Sequence, residues 1–443
     1  MRQRASILVG LLWCVVLLSL VVVGLLHTAR MDLQVQKNYG DRIQARYLAL
    51  AGIEKAKALL YKNASERSRS GKHHDGQLYD TPAQFQDIEL GRGTFTVLRR
   101  ARTDEGGGVV YGVDDEESRL NLNAATEEQL TKLPGLNSNI SAAIVGWRGN
   151  GAGSVAEQEY YGSLRPPRKP RNGPFETVRE LLMVRNISAE QVCGQDRHLN
   201  GMTTVVDEAA NGSARYPSLS SDDDLGWAGS LTVDSAVRDV NAAGQDRVNI
   251  QSADETQLAT VHGITPDIAK AITAYRNQHR FQSIADLMDV TPPQNNGGGG
   301  GRQSGNAGQS AGSSVISEKL FQDLADNVTI NDNKTVSGAI NLNTAGLTVL
   351  CTLPDVDRNL AQAIISARQS GSYFQSPGDL LKVNGLDHQI FKDIAPFITV
   401  RSETFRILCE GRVKSSGTRQ RIQVIVRVGP DDVKTLSYRE DDL

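Results

Sequence analysis

The chain has 443 residues and carries 48 Lys and Arg against 51 Asp and Glu, for a net charge of -3. That balance argues against a protein whose main task is to hold nucleic acid, because such a protein needs a surplus of cations facing phosphates. A hydrophobic share of 39% is enough to bury real cores, and the length leaves room for about two to three domains.

From Ile7 to Leu26 there is no charged residue. At the α-helical rise this run spans about 30 Å, the thickness of a bilayer core. It is longer than a signal-peptide core, and His27-Thr28-Ala29-Arg30 makes a poor cleavage site, so a retained anchor is expected. Arg2, Arg4 and the N-terminal amine suggest a cytoplasmic N-terminus, against Arg30, Lys37 and Arg42 on the other side of the run. No proline interrupts the residues that follow, and Ile43, Tyr47, Leu50 and Ala51 recur at spacings of three and four. One helix is therefore expected from about Ser6 to Tyr61, with Gly40 and Gly52 as its weak points.

Beyond this stem, His73-His74 reads as a solvated polar loop. Gly93–Leu98 and Val109–Val113 read as strands. Asp114-Asp115-Glu116-Glu117 and Asp222-Asp223-Asp224 supply oxygen ligands without a defined calcium spacing, and each reads as a solvated acidic loop.

The middle of the chain repeats itself three times. Each unit opens on Asn-x-Asn or Asn-x-Gln (Asn121, Asn249, Asn341) and closes on an arginine (Arg148, Arg276, Arg368), always 27 residues later. Between them lies a helix, a tight turn at Pro134-Gly135, His262-Gly263 or Pro354-Asp355, and a second helix, which together form a helix-hairpin-helix. A Phe (Phe175, Phe281, Phe374), a Leu-rich helix and a strand-like tail follow each unit. Residues 149–173 read as irregular. The Gly-rich linkers make the helical region a set of tethered units. After the third repeat, Phe405–Glu410 and Arg421–Arg427 read as two further strands.

Helix-hairpin-helix modules commonly bind duplex DNA through two glycines that expose backbone N–H groups to a phosphate. Here Asn137, Thr265 and Asp357 stand where the second glycine belongs, and Asp355 replaces the first glycine of the third turn. The net charges of 121–148, 249–276 and 341–368 are 0, -1 and 0. The hairpins are therefore expected to pack or to contact protein. No nucleophile elbow, phosphate loop or zinc motif is present, so no enzyme is expected. Cys193, Cys351 and Cys409 match no metal spacing; small buried hydrophobes are favoured over one disulfide with a leftover thiol.

The Arg4-Ala5-Ser6-Ile7-Leu8 start with Trp13, the stretch Gln44 to Glu54, the segment Ile340 to Ala345, and Ile398-Thr399-Val400-Arg401-Ser402 before Phe405-Arg406 together resemble the general secretion pathway protein K family, the large minor pseudopilins of bacterial type II secretion. The resemblance implies an α+β, pilin-like fold, with a long N-terminal helix on an antiparallel sheet and a large inserted helical domain. It implies a leader at 1–5 cut by the prepilin peptidase between Ala5 and Ser6, although the family usually has Gly where this chain has Ala5. An anchor (7–26) and stem would fill 6–62, and the first part of the sheet domain 63–120. The insertion would span 121–400, with units 121–200, 249–290 and 341–396 and disordered linkers 207–229 and 291–314; strands would complete the sheet in 401–443. Counted from Ser6, Gly10 stands at the fifth position, where ordinary pilins and pseudopilins resemble one another in carrying Glu. The resemblance further implies inner-membrane anchoring with the large domain in the periplasm, assembly with other minor pseudopilins and the major pseudopilin at the tip of a pseudopilus, and calcium binding through unmapped ligands. Neither nucleic acid nor a small-molecule substrate is expected. The competing expectation is a membrane-anchored DNA receptor of the competence type.

Overall fold

The computed structural model describes residues 2–149, 153–202, 225–292, 314–370 and 373–440. A single helix runs from Arg2 to Ser70, 69 residues and about 100 Å. Its first half projects freely: the apolar window is wholly exposed, and the helix is long and apolar enough to cross a membrane. Its second half lies on a sheet.

That sheet is built from β1 (Ile88–Leu90), β2 (Gly93–Arg100), β3 (Val109–Val110), β4 (Asp114–Asp115), β5 (Thr404–Val413), β6 (Arg419–Val428) and β7 (Val433–Arg439). The order is β1-β2-β5-β6-β7, with β3 on β2 and β4 on β5, and every pairing is antiparallel. The central pair joins strands from opposite ends of the chain, with Leu408 opposite Leu98. The chain between β4 and β5 is a helical insertion. The fold is thus α+β and pilin-like, a long helix packed on an antiparallel sheet.

The buried face of the stem is Ala45, Leu48, Ala49, Gly52, Ile53, Ala56 and Leu60. It is rotated from the face expected around Ile43 and Tyr47, which remain exposed. Small residues decide the phase, because they let helix and sheet backbones approach. A Cβ on Gly52 would sit 2.4 Å from Cys409 Sγ, and one on Gly411 2.0 Å from the Ala45 carbonyl oxygen. Gly52, expected as a weak point, is a place of close contact with the sheet. Arg46 pairs with Glu440 at 2.8 Å and ties the stem to the residue after β7.

The insertion holds three copies of one unit. In each, a two-residue strand at the opening Asn pairs in parallel with the tail: Leu120–Asn121 with Leu231–Thr232, Val248–Asn249 with Val328–Thr329, and Ile340–Asn341 with Ile398–Thr399. The closing arginine explains the constant spacing. Arg148 donates to the carbonyls of Leu122 and Ala125, Arg276 to those of Ile250 and Ala253, and Arg368 to those of Leu342 and Ala345. The second amide of each opening motif accepts from the backbone N–H of the later Phe, at 2.7 Å for Asn123 and Phe175, 3.0 Å for Gln251 and Phe281, and 2.8 Å for Asn343 and Phe374.

Four expectations need correction. The Leu-rich segments after each Phe are 3-10 turns (Val178–Met183, Ile284–Asp289, Pro377–Lys382), each followed by a further helix (Ala189–Cys193, Glu318–Leu324, His388–Ile394). A helix, Gly153–Ser163, occupies the irregular stretch, where Tyr161 packs on Trp147 with ring centroids 5.1 Å apart. The units are not merely tethered, since their buried side chains form one continuous hydrophobic cluster from Leu120 to Val400. Of the expected linkers, 207–224 and 293–313 lie outside the described residues, as does Asp222-Asp223-Asp224. Residues 225–229 are ordered: Trp227 is buried and its Nε1 donates to the Pro134 carbonyl at 2.9 Å, closing the first unit.

Candidate functional site

Three features bear on function: the hairpin turns, the junction between sheet and insertion, and the membrane-side half of the stem. At the turns, Gly135 and Gly263 have φ of +79° and +94°, and Asp355 takes the same left-handed conformation at +52°. Two residues on, Asn137, Thr265 and Asp357 are the N-caps of the second helices. Their side chains accept from the N–H groups of Ile140, Ile268 and Leu360 at 3.0, 3.3 and 2.8 Å. A cap oxygen therefore covers one of the donors a phosphate would need, and at Asp357 that oxygen carries charge. This geometry predicts that the full chain in uncharged detergent shows no micromolar affinity for labelled duplex at about 150 mM salt. Tight binding that weakens steeply as salt rises would overturn the prediction.

The junction is where the expected solvated acidic loop lies, and the structure corrects that expectation. Asp115, Glu116 and Glu117 are buried, at the point where the chain leaves β4 for the insertion. Asp115 accepts from the Ser402 hydroxyl at 2.5 Å, from Asn341 Nδ2 at 3.2 Å and from the Thr344 hydroxyl. Glu117 accepts from the backbone N–H groups of Ala236 and Thr404, each at 3.1 Å. Glu116 pairs with Arg406 at 2.7 Å and Arg119 at 3.1 Å, and accepts from the Thr232 hydroxyl; Arg119 also reaches Asp114. These partners belong to the first unit's tail, the third unit's opening and the returning chain, so one carboxylate cluster fastens both crossings between sheet and insertion. Burial, together with the neighbouring Asp115 charge, pushes the Glu117 carboxyl well above the usual carboxylate range. Burial also raises Asp115. The Glu117 backbone N–H donates to Asp115 Oδ1 at 2.9 Å, so the two raised carboxyls belong to one buried cluster.

Calcium does not fit this cluster as folded, since its carboxylates already accept from arginines, hydroxyls and N–H groups. No group of three or more His, Cys, Asp and Glu placed to hold a metal occurs among the described residues.

His73 and His74 are likewise buried rather than solvated. His73 Nε2 lies 2.5 Å from Asp326 Oδ1, and His74 packs against Tyr79 and Tyr373, with ring centroids 5.2 and 4.5 Å away. Gln375 Oε1 accepts from the His73 N–H at 2.9 Å, and Gln375 Nε2 donates to the His74 carbonyl at 2.7 Å. Burial, helped by the charge of Arg67, holds the His74 pKa down to about 3, so the ring is neutral. The two histidines dock the end of the stem on the second and third units.

Ala5 and Ser6 lie in the first turns of the stem helix, and Gly10 stands on its exposed part, where a Cβ would meet nothing within 4 Å. Cys193, Cys351 and Cys409 are all free thiols.

Residues 243–292 and 336–399 match the family described as helix-hairpin-helix motif. Among curated proteins, endonuclease/exonuclease/phosphatase family domain-containing protein 1 of Mus musculus is 26% identical over 164 residues, 34% of this chain and 28% of that protein. Its Danio rerio counterpart is 29% identical over 175 residues, 39% of this chain and 24% of that protein. The chain spans only about a quarter of the length of these relatives. Among solved structures, a chain of the GspK-GspI-GspJ complex from the type 2 secretion system of enterotoxigenic Escherichia coli aligns over 93% of this chain and 99% of its own. The TM-score is 0.39 and the identity 12%.

Proposed function

We propose that this protein is a structural, non-enzymatic minor pseudopilin that sits at the tip of a periplasmic pseudopilus in type II protein secretion and assembles there with other minor pseudopilins. The observation that carries this reading is the stem. One unbroken helix has an apolar, wholly exposed first half and a second half seated on a sheet whose strands come from both ends of the chain. That is the form of a subunit that waits in a membrane and then packs its helix among others. The sequence resemblance described above points the same way.

Gly10 supports the tip position. A Glu at the fifth position after the leader is costly in lipid unless it pairs with a neighbour's N-terminal amine. This chain has no acidic residue before Asp32, so it offers an amine but no carboxylate. It would join the fibre from one side only, as a first subunit. The bulk of the insertion agrees, since three units on every subunit would collide along a shaft. The expected stoichiometry in sheared fibres is about one copy per pseudopilus, measured against the major pseudopilin. A ratio near one to one, with label spread along the shaft, would sink the tip assignment.

The helix-hairpin-helix match favours a second reading, a membrane-anchored DNA receptor. The capped turns and the near-zero charge of the hairpins oppose it, and the duplex titration above separates the two.

A further inference from the structure

The end of the stem helix, the strand Ala236–Arg238 and the returning segment before β5 enclose an open cleft of about 240 Å³. Five cations line it: Arg67, Arg69, Lys72, Arg238 and Arg401. One carboxylate, Glu403, faces them, and it is shared between Arg238 at 2.9 Å and Arg401 at 2.6 Å. In a chain of net charge -3 this is a local surplus of positive charge. Burial chiefly disfavours the charged form of Arg401; Arg238 and Arg67 add to that, and Glu403 opposes it. Arg69 and Lys72 are exposed, and neither makes a side-chain ion pair or hydrogen bond among the described residues. His73 supplies an independent observation. It also lines the cleft and is 1% exposed, and its Nδ1 is buried without a hydrogen-bond partner, whereas Nε2 is engaged by Asp326.

We propose that this cleft binds an oxyanion, either a small inorganic anion or the carboxylates of an acidic peptide segment. The guanidinium fork of Arg69 and the Lys72 ammonium would supply charge-assisted donors, beside the charge of Arg67, whose Nε and Nη1 already donate to Asn63 Oδ1 and the His73 carbonyl. Placed beside His73, the anion lets Nδ1 hold a proton and donate it. Burial keeps that proton off the ring when no anion is bound, Asp326 on the far side of the ring supports it, and Arg401 and Arg247 oppose it. Anion binding is therefore accompanied by proton uptake and is tighter at pH 6 than at pH 8. The occupant would fasten the stem to the insertion at a point where cations otherwise face one another.

The test uses the full chain in uncharged detergent at about 150 mM ionic strength. The probes are sulfate, whose charge is constant over this pH range, and a hexaglutamate peptide, each against chloride. Calorimetry is expected to show binding that weakens about tenfold in the Arg69→Ala/Lys72→Ala variant. The control Lys270→Ala, exposed and on the second unit, is expected to bind as the parent does. Because Arg69 and Lys72 are exposed, the double variant should keep the parent's melting temperature. Sulfate binding without peptide binding assigns the cleft to a free anion; tighter peptide binding assigns it to a partner segment. The proposal is overturned if neither probe binds more tightly than chloride, or if the double variant binds both as the parent does.

Discussion

Arg368→Ala is expected to destabilise the protein by about 3–5 kcal/mol, whereas Arg276→Ala, the equivalent change in the second unit, should cost about 1–2 kcal/mol. All three closing arginines hold the same two carbonyls of their own units, so a purely local role would make the three substitutions equal. Their surroundings differ. Arg368 is buried and pairs with Asp104 at 2.8 Å, on the loop between β2 and β3. It therefore joins the third unit to the sheet as well as closing that unit. Its removal leaves the Leu342 and Ala345 carbonyls without their donor and takes one of Asp104's cations away. Arg276 is half-buried, and no carboxylate pairs with it among the described residues. Water can reach its carbonyls when the side chain is cut. Arg148 is buried, has no acidic partner among the described residues, and should fall between the two. The measurement is the denaturant midpoint of the full chain in uncharged detergent for each variant. Equal losses at all three positions would show that the contact with Asp104 adds nothing.

The repeat was legible in the sequence because its cause is local. A two-residue ladder, an amide two positions later and an arginine 27 positions later are held at fixed distances by one unit's own backbone. A second hairpin in the third unit was legible too and was missed. Gly385-Leu386-Asp387 repeats the pattern of Gly135-Leu136-Asn137, with Gly385 at a φ of +90° and Asp387 capping the next helix through the Ile390 N–H. The face of the stem was misphased because apolar periodicity favours large residues such as Ile43 and Tyr47. The actual contact selects small ones, Ala45, Ala49 and Gly52, for close approach to β5. Asp115 and His73 were misread for a different reason. A charged or polar run looks solvated unless its partners are known, and these partners are remote: Ser402 lies 287 residues from Asp115 and Asp326 lies 253 from His73. Nothing near either position in the chain announces the burial. The same holds for the basic cleft, whose cations come from three separate stretches.

The upward shift of the Asp115 and Glu117 carboxyls makes the junction sensitive to pH in a defined direction. Both carboxyls have folded pKa values raised above their unfolded values, so across that interval the folded chain keeps a proton that the unfolded chain has released. The stabilisation is complete below the unfolded carboxylate range, about pH 4, and is lost as pH rises through the folded values. The slope is about 1.4 kcal/mol per pH unit for each proton retained. Glu117→Gln removes the titrating group. Its amide can donate to Asp115 and its oxygen can accept from one of the two backbone N–H groups, Ala236 or Thr404, leaving the other unmet at about 1–3 kcal/mol. The variant should therefore be less stable than the parent at pH 4.5, with the gap narrowing or reversing by pH 8. Asp115→Ala should be worse at every pH, because Asn341, Thr344 and Ser402 all lose their acceptor and the insertion loses its hold on the sheet. Melting temperatures of the full chain at pH 4.5, 6 and 8 decide the matter. Parallel curves for the parent and Glu117→Gln would mean that Glu117 is ionised throughout and that the junction is a plain hydrogen-bonded carboxylate cluster with no retained proton.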